Sequence, residues 1–142
     1  MTDAEKMAAN RVVAEAMGWR VEIGTYESLG IEHEAFTLYR PSGFSHCHNS
    51  ATEEGAWSSA PQIFANTEAG AWAREQAAGW LLAQGIGDMG VWHSSSLAFY
   101  FDEPTWFVKI GPAPRCSGKT IGEATATAIH AAVVALGAGG EG

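Results

Sequence analysis

The chain has 142 residues, 46% of them hydrophobic and 17% charged, and its 16 acidic and 8 basic side chains give a net charge of −8. That length suits one domain with a real core, and the apolar share excludes wholesale disorder. The acidic surplus excludes a nonspecific nucleic-acid binder, which must neutralise phosphates with a basic footprint.

A first helix is predicted from about Asp3 to Met17. Met7, Val12, Val13 and Ala16 recur at helical spacing, with Asp3 and Glu5 in the first turn, where the helix dipole favours negative charge. Gly18 is the expected C′ residue, and Trp19 is expected to fold back beside the helix end. Val21 to Tyr26 and Ala35 to Arg40 read as short strands. Residues 41–57 then read as a polar loop inserted into the domain.

Asn66 and Thr67 are expected to cap a helix that runs to about Gln84 and ends at Gly85. Ala69, Trp72, Ala73, Gln76, Ala77, Trp80 and Leu81 share one of its faces, which places Trp72 and Trp80 in the core. Ser96 to Asp102 and Thr105 to Gly111 read as strands joined by a tight turn at Asp102-Glu103-Pro104, with Leu97 to Phe101 covered on two sides. Thr120 and Glu123 have capping-box spacing and open the last helix. Its apolar stripe is Ile121, Ala124, Thr125, Ala128, Ile129, Ala132, Val133 and Leu136, and Gly137 is expected to end it. The order implies a single α+β domain over residues 1–137, with a short antiparallel sheet covered by helices and a flexible tail at 138–142.

Residues 1–20 hold no uninterrupted apolar run and do not read as a signal peptide. Residues 129–140 are too short and too weakly hydrophobic to cross a bilayer, so no membrane association is expected. Cys47 and Cys116 stand far apart with no CxxC, which fits a reducing cytoplasm, while a single bridge between them stays geometrically open.

Several groups are candidate sites. The run Ala113 to Thr120 fits a relaxed phosphate-loop pattern, but Pro112 and Pro114 remove amides, and only 22 residues follow Thr120 to supply further strands. An ordinary helix start is the better reading. His46, Cys47 and His48 are a candidate metal set, with His33 or Cys116 as further donors, against the plainer reading of a solvated loop. No CxxC, HExxH or second HxH accompanies them, so no metal or other cofactor is assigned. A nucleophilic pair of Cys116 with His130 or His93 has no supporting local motif, and a partly packed His130 is preferred. No catalytic residue is assigned.

Binding residues are sought instead among exposed aromatics and acids. Phe44, Trp57 and Trp92 lie in or near loops and are candidates for a binding patch. Glu53 and Glu54, with Glu27, Glu32 and Glu34, make the middle of the chain acidic, which suits solubility or a basic partner protein. For a small anionic ligand, the alternative set is Arg40, Arg115 and Lys119.

The block Val12 to Trp19, ending Met17-Gly18-Trp19, resembles the opening of the phage ABA-sandwich domain proteins. Ala60-Pro61-Gln62-Ile63-Phe64, the Asn66-Thr67 pair and Ala71-Trp72 are similar to that family's middle block. Ser117 to Ala124, running into Ala128-Ile129 and Ala131-Ala132, resembles its last helix. The resemblance implies an antiparallel sheet packed between helices and a phage or prophage origin, and it implies no catalytic residue. The expected function is that of a small phage-encoded accessory protein in the host cytoplasm. It would act by binding a host protein complex, as an anti-CRISPR-like counter-defence factor does. A nucleotide-signal binder and a virion or morphogenesis component are the alternatives, and self-association into a homo-oligomer stays open.

Overall fold

The computed structural model describes residues 1–93 and 105–140. The fold is α+β, and the described residues form four helices and two three-stranded antiparallel sheets where one sheet is expected from sequence. The chain divides into two compact units, residues 1–62 and 63–142.

In the first unit, α1 (Asp3–Ala16) begins where the Thr2 hydroxyl accepts the Glu5 N–H at 3.2 Å. It ends as expected at Gly18, whose φ of +103° lets the chain reverse, and the Trp19 N–H bonds back to the Ala14 carbonyl. The buried face is Ala9, Asn10, Val13 and Ala14, whereas Met7, Val12 and Ala16 are exposed. Small side chains let the helix approach its neighbours closely, so the bulkier residues fall to the flanks.

Strands β1 (Arg20–Ser28) and β2 (Ile31–Tyr39) form nine uninterrupted antiparallel pairs, well beyond the strands expected from sequence. They are joined by Leu29 and Gly30, both at positive φ (53° and 77°), in a mirror-image two-residue turn that matches strand twist. The expected polar loop at 41–57 is instead a strand and a helix. A turn at Pro41-Ser42-Gly43 is closed by Arg40 N–H to Phe44 O at 2.8 Å, and it feeds β3 (Ser45–Ser50), which pairs with β2. Helix α2 (Glu53–Trp57) follows, capped by the Thr52 hydroxyl on the Gly55 N–H. The core of this unit is Ala14, Leu38, Ala56, Trp57 and Ala60, with Trp19, Val21, Phe36 and Cys47 packed against it.

In the second unit, α3 (Glu68–Ala83) starts at Thr67, whose hydroxyl accepts the Gly70 N–H, and gives way to Gly85 at φ +87°. Its buried residues are Gly70, Ala73, Ala77 and Leu81. Trp80 is half-buried, and Trp72, expected in the core, is exposed. The sheet has the order β4 (Met89–His93), β5 (Trp106–Ile110), β6 (Cys116–Gly118), with β4 and β6 both unforeseen. The expected strand Ser96 to Asp102 and its turn fall outside the described residues.

Helix α4 (Ile121–Gly140) lies against β5, β6 and α3. It starts as expected, with the Thr120 hydroxyl accepting the Glu123 N–H at 3.1 Å, but it continues past Gly137, so the expected tail is helical to Gly140. Ala124, Ala126, Ala128, Ile129, Ala132 and Val133 are buried, while Ile121 is exposed. Among the described residues, no helix is long and apolar enough to cross a membrane.

Two substitutions test these anchors. A methyl group on Gly70 would overlap the Ala65 carbonyl oxygen, so Gly70→Ala should destabilise the protein by more than about 2 kcal/mol in chemical denaturation. Thr120→Ala removes a helix cap and should cost about 1 kcal/mol in the same measurement.

Candidate functional site

The β1–β2 ribbon is where the first unit offers most to a partner. Side chains alternate across a strand. The face that carries Val21 and Leu38 into the core therefore carries Ile23 and Phe36 next, then Thr25 and Glu34, then Glu27 and Glu32. Leu38 is fully buried, but Ile23 is already 59% exposed and every residue from Glu22 to Glu32 is exposed. The core face thus runs out from under its cover and ends in three carboxylates. Glu27 and Glu32 stand directly opposite each other, an arrangement that costs free energy in isolation and is relieved by a cation.

The opposite face is tied together by side chains. Tyr26 stacks on His33 with centroids 5.2 Å apart, and the Arg20 guanidinium lies 4.8 Å from the Tyr39 ring while bonding Glu22 at 3.1 Å. At the tip, Leu29 is 98% exposed and Ile31 is 60% exposed. A two-stranded ribbon is marginal by itself, and these contacts hold its shape where the core does not reach.

Other residues singled out from sequence fall in several places. Glu53, Glu54 and Trp57 are gathered on α2 beside Arg11 of α1. Arg11 bonds Glu15 at 2.6 Å and Glu53 at 2.8 Å, and its guanidinium sits 5.1 Å from the Trp57 ring. These ties, that to Glu15 foremost, hold the Arg11 pKa above its ordinary value. Ala4, Met7, Ala8, Arg11, Glu54 and Trp57 line a groove of about 490 Å³.

Trp57 is nevertheless 7% exposed, so it is a core residue rather than the exposed anchor expected, and its buried indole N–H meets no acceptor among the described residues. Phe44 is 75% exposed beside the 41–43 turn. Trp92 is half-exposed on β4, in the second unit, with its ring over Gly90.

Of the candidate metal set, the side chain of His48 lies outside the described residues. Register shifts on both sides of Cys47 interrupt the regular β2–β3 ladder, and Asn49 takes a positive φ of 55°. His46 accepts a hydrogen bond from Arg40 Nε at its Nδ1 (3.1 Å) and meets Trp19 edge-on. Among the described residues, no three His, Cys, Asp or Glu side chains are grouped to hold a metal ion.

Two of the three residues of the candidate anion set are engaged elsewhere. Arg40 is held by that bond to His46, Arg115 lies 4.6 Å from the Phe107 ring, and Lys119 is exposed. Residues 116–118 pair with β5, so their backbone is committed to a ladder instead of curling round a phosphate. Both cysteines are free thiols. Burial pushes the Cys116 thiol up, away from thiolate chemistry, and burial lowers the pKa of His130.

The acidic residues of the ribbon are visible in the sequence, but the ribbon is not. Its signal is Gly30 between two runs of β-compatible residues, with Leu29 at a position usually held by Asn, Asp or Gly. Compared with known protein families, curated proteins and solved structures, the chain matches none.

The two thiols should differ in reactivity. The hydrogen bond with Ser50, whose Oγ lies 3.3 Å from the Cys47 sulfur, leads in lowering the Cys47 pKa, and a second from Ser59 adds to it. At mildly alkaline pH, iodoacetamide should therefore label Cys47 faster than Cys116, as read by peptide mass mapping over time.

Proposed function

We propose that this chain works by binding rather than by chemistry, as a phage- or prophage-encoded accessory protein. It would occupy a basic surface of a host protein complex in the host cytoplasm, in the manner of a counter-defence inhibitor. One observation carries the reading: the acidic ribbon face of Glu27, Glu32 and Glu34, which continues the core face into solvent next to the exposed Ile23, with Leu29 exposed at the tip. Apolar residues ringed by charge of one sign suit an interface in which attraction speeds encounter and apolar burial holds the complex. The net charge of −8 adds a long-range pull toward a basic partner. The resemblance of Met17-Gly18-Trp19 and of Ser117 to Ala124 to phage ABA-sandwich proteins supports the origin.

The test is a tagged pull-down from host lysate at low and high salt, with small molecules extracted from the same bait. A host complex that is retained at low salt, and whose retention falls about tenfold for the Glu27→Gln, Glu32→Gln, Glu34→Gln variant, is the expected result. A co-purifying nucleotide with no protein partner would overturn it in favour of a ligand-sequestering role.

A further inference from the structure

We propose that the outer edge of β1 takes an extended, lysine- or arginine-rich segment of a partner protein as a fourth strand of the first sheet. The proposal rests on the protein-binding reading above and names how that partner docks.

Among the described residues, the sheet order β1-β2-β3 leaves β1 at an edge. In the Leu29-Gly30 turn, the Ser28 carbonyl is placed to accept the Ile31 N–H, so Ser28 and Ile31 form a hydrogen-bonded pair. Such pairs alternate along an antiparallel ladder. Tyr26, Gly24 and Glu22 therefore also exchange bonds with β2. The N–H and C=O groups of Val21, Ile23, Thr25 and Glu27 face the other way, toward the open edge.

Edges are ordinarily protected by shortness, proline, lysine or a bulge. β1 is nine residues long, contains no proline or lysine, and pairs with β2 without a register shift. What protects it is negative charge. Between residues 21 and 39 stand Glu22, Glu27, Glu32 and Glu34, and no lysine or arginine.

That charge selects the occupant. A second copy of the chain would bring two acidic edges together against a net charge of −8 on each. A basic segment would satisfy the same backbone groups while placing cations beside Glu27 and Glu32, whose mutual repulsion it would relieve. This is strand addition, in which main-chain bonds supply affinity and alternate side chains supply selection.

The probes are two short synthetic peptides, one alternating lysine with threonine and one alternating glutamate with threonine. A third is the lysine peptide with every second amide methylated. Binding is followed by NMR on isotope-labelled full-length protein, with hydrogen exchange read at individual amides. The lysine peptide should slow exchange at Ile23, Thr25 and Glu27, and the glutamate and methylated peptides should not.

Thr25→Pro deletes one outward N–H and none that bonds β2, so its fold should be kept, as judged by unchanged Tyr26 and His33 ring signals. It should weaken the lysine peptide by about tenfold. Absence of binding at low salt, equal binding by Thr25→Pro or by the methylated peptide, or protection elsewhere on the molecule would overturn the proposal. So would a dimer of the free protein that Thr25→Pro dissociates, since the occupant would then be a second copy. A host partner that survives Thr25→Pro but is lost with the three Glu→Gln substitutions would leave the binding reading standing and remove this one.

Discussion

The first unit depends on the burial of Leu38. It sits opposite Val21 in the β1–β2 ladder and packs into a cluster with Ala14, Ala56, Trp57 and Ala60, so helices from both ends of the unit close over it. Because side chains change face at every residue, fixing Leu38 inward fixes which face every other ribbon residue takes. A slip of one residue would swing Glu32 and Glu34 to the face now held by Tyr26 and His33 and would expose the core leucine. The acidic face far from the core is therefore set by a single apolar contact near it. Arg11 reinforces that closure from outside, joining α1 to α2 through Glu53 and covering the Trp57 ring.

Local chemistry was legible in the sequence where one residue type answers one backbone need. Gly18 and Gly85 end helices at positive φ, and Thr67 and Thr120 cap helices through their hydroxyls. Helix faces were less legible, for a physical reason. Reading by hydropathy weights large residues, so Met7, Val12, Trp72 and Ile121 were expected inward, and all are exposed. The buried faces are built mainly of alanine: Ala9 and Ala14 in α1, Ala73 and Ala77 in α3, and Ala124, Ala126, Ala128 and Ala132 in α4. Small side chains let elements approach closely, and the bulky neighbours are excluded from the contact.

The candidate site divides in the same way. The carboxylates at Glu27, Glu32 and Glu34 were legible as an acidic stretch, but their presentation on one strand face required the Leu29-Gly30 turn. That turn is not legible in the sequence because leucine at positive φ is strained and gives no turn signal of its own. Residues 41–57 looked like a loop because they are polar and short of apolar alternation. Their order comes from pairing of β3 with β2 and from Thr52 capping α2. Trp57 was assigned to the surface with that loop, and the helix that carries it turns it into the core.

The open edge of β1 also bears on how the protein behaves at high concentration. Its exposed main-chain groups can template the same pairing in any neighbouring copy, and only like-charge repulsion opposes the approach. Colloidal stability then depends on pH through the net charge. Near pH 5, where the composition brings the net charge to about zero, the net repulsion between copies is weakest while the edge stays bare. High salt acts in the same direction by shortening the range over which copies repel. Storage above neutral pH at modest ionic strength should keep the molecules apart, whereas drifting toward acid removes the repulsion that guards the edge.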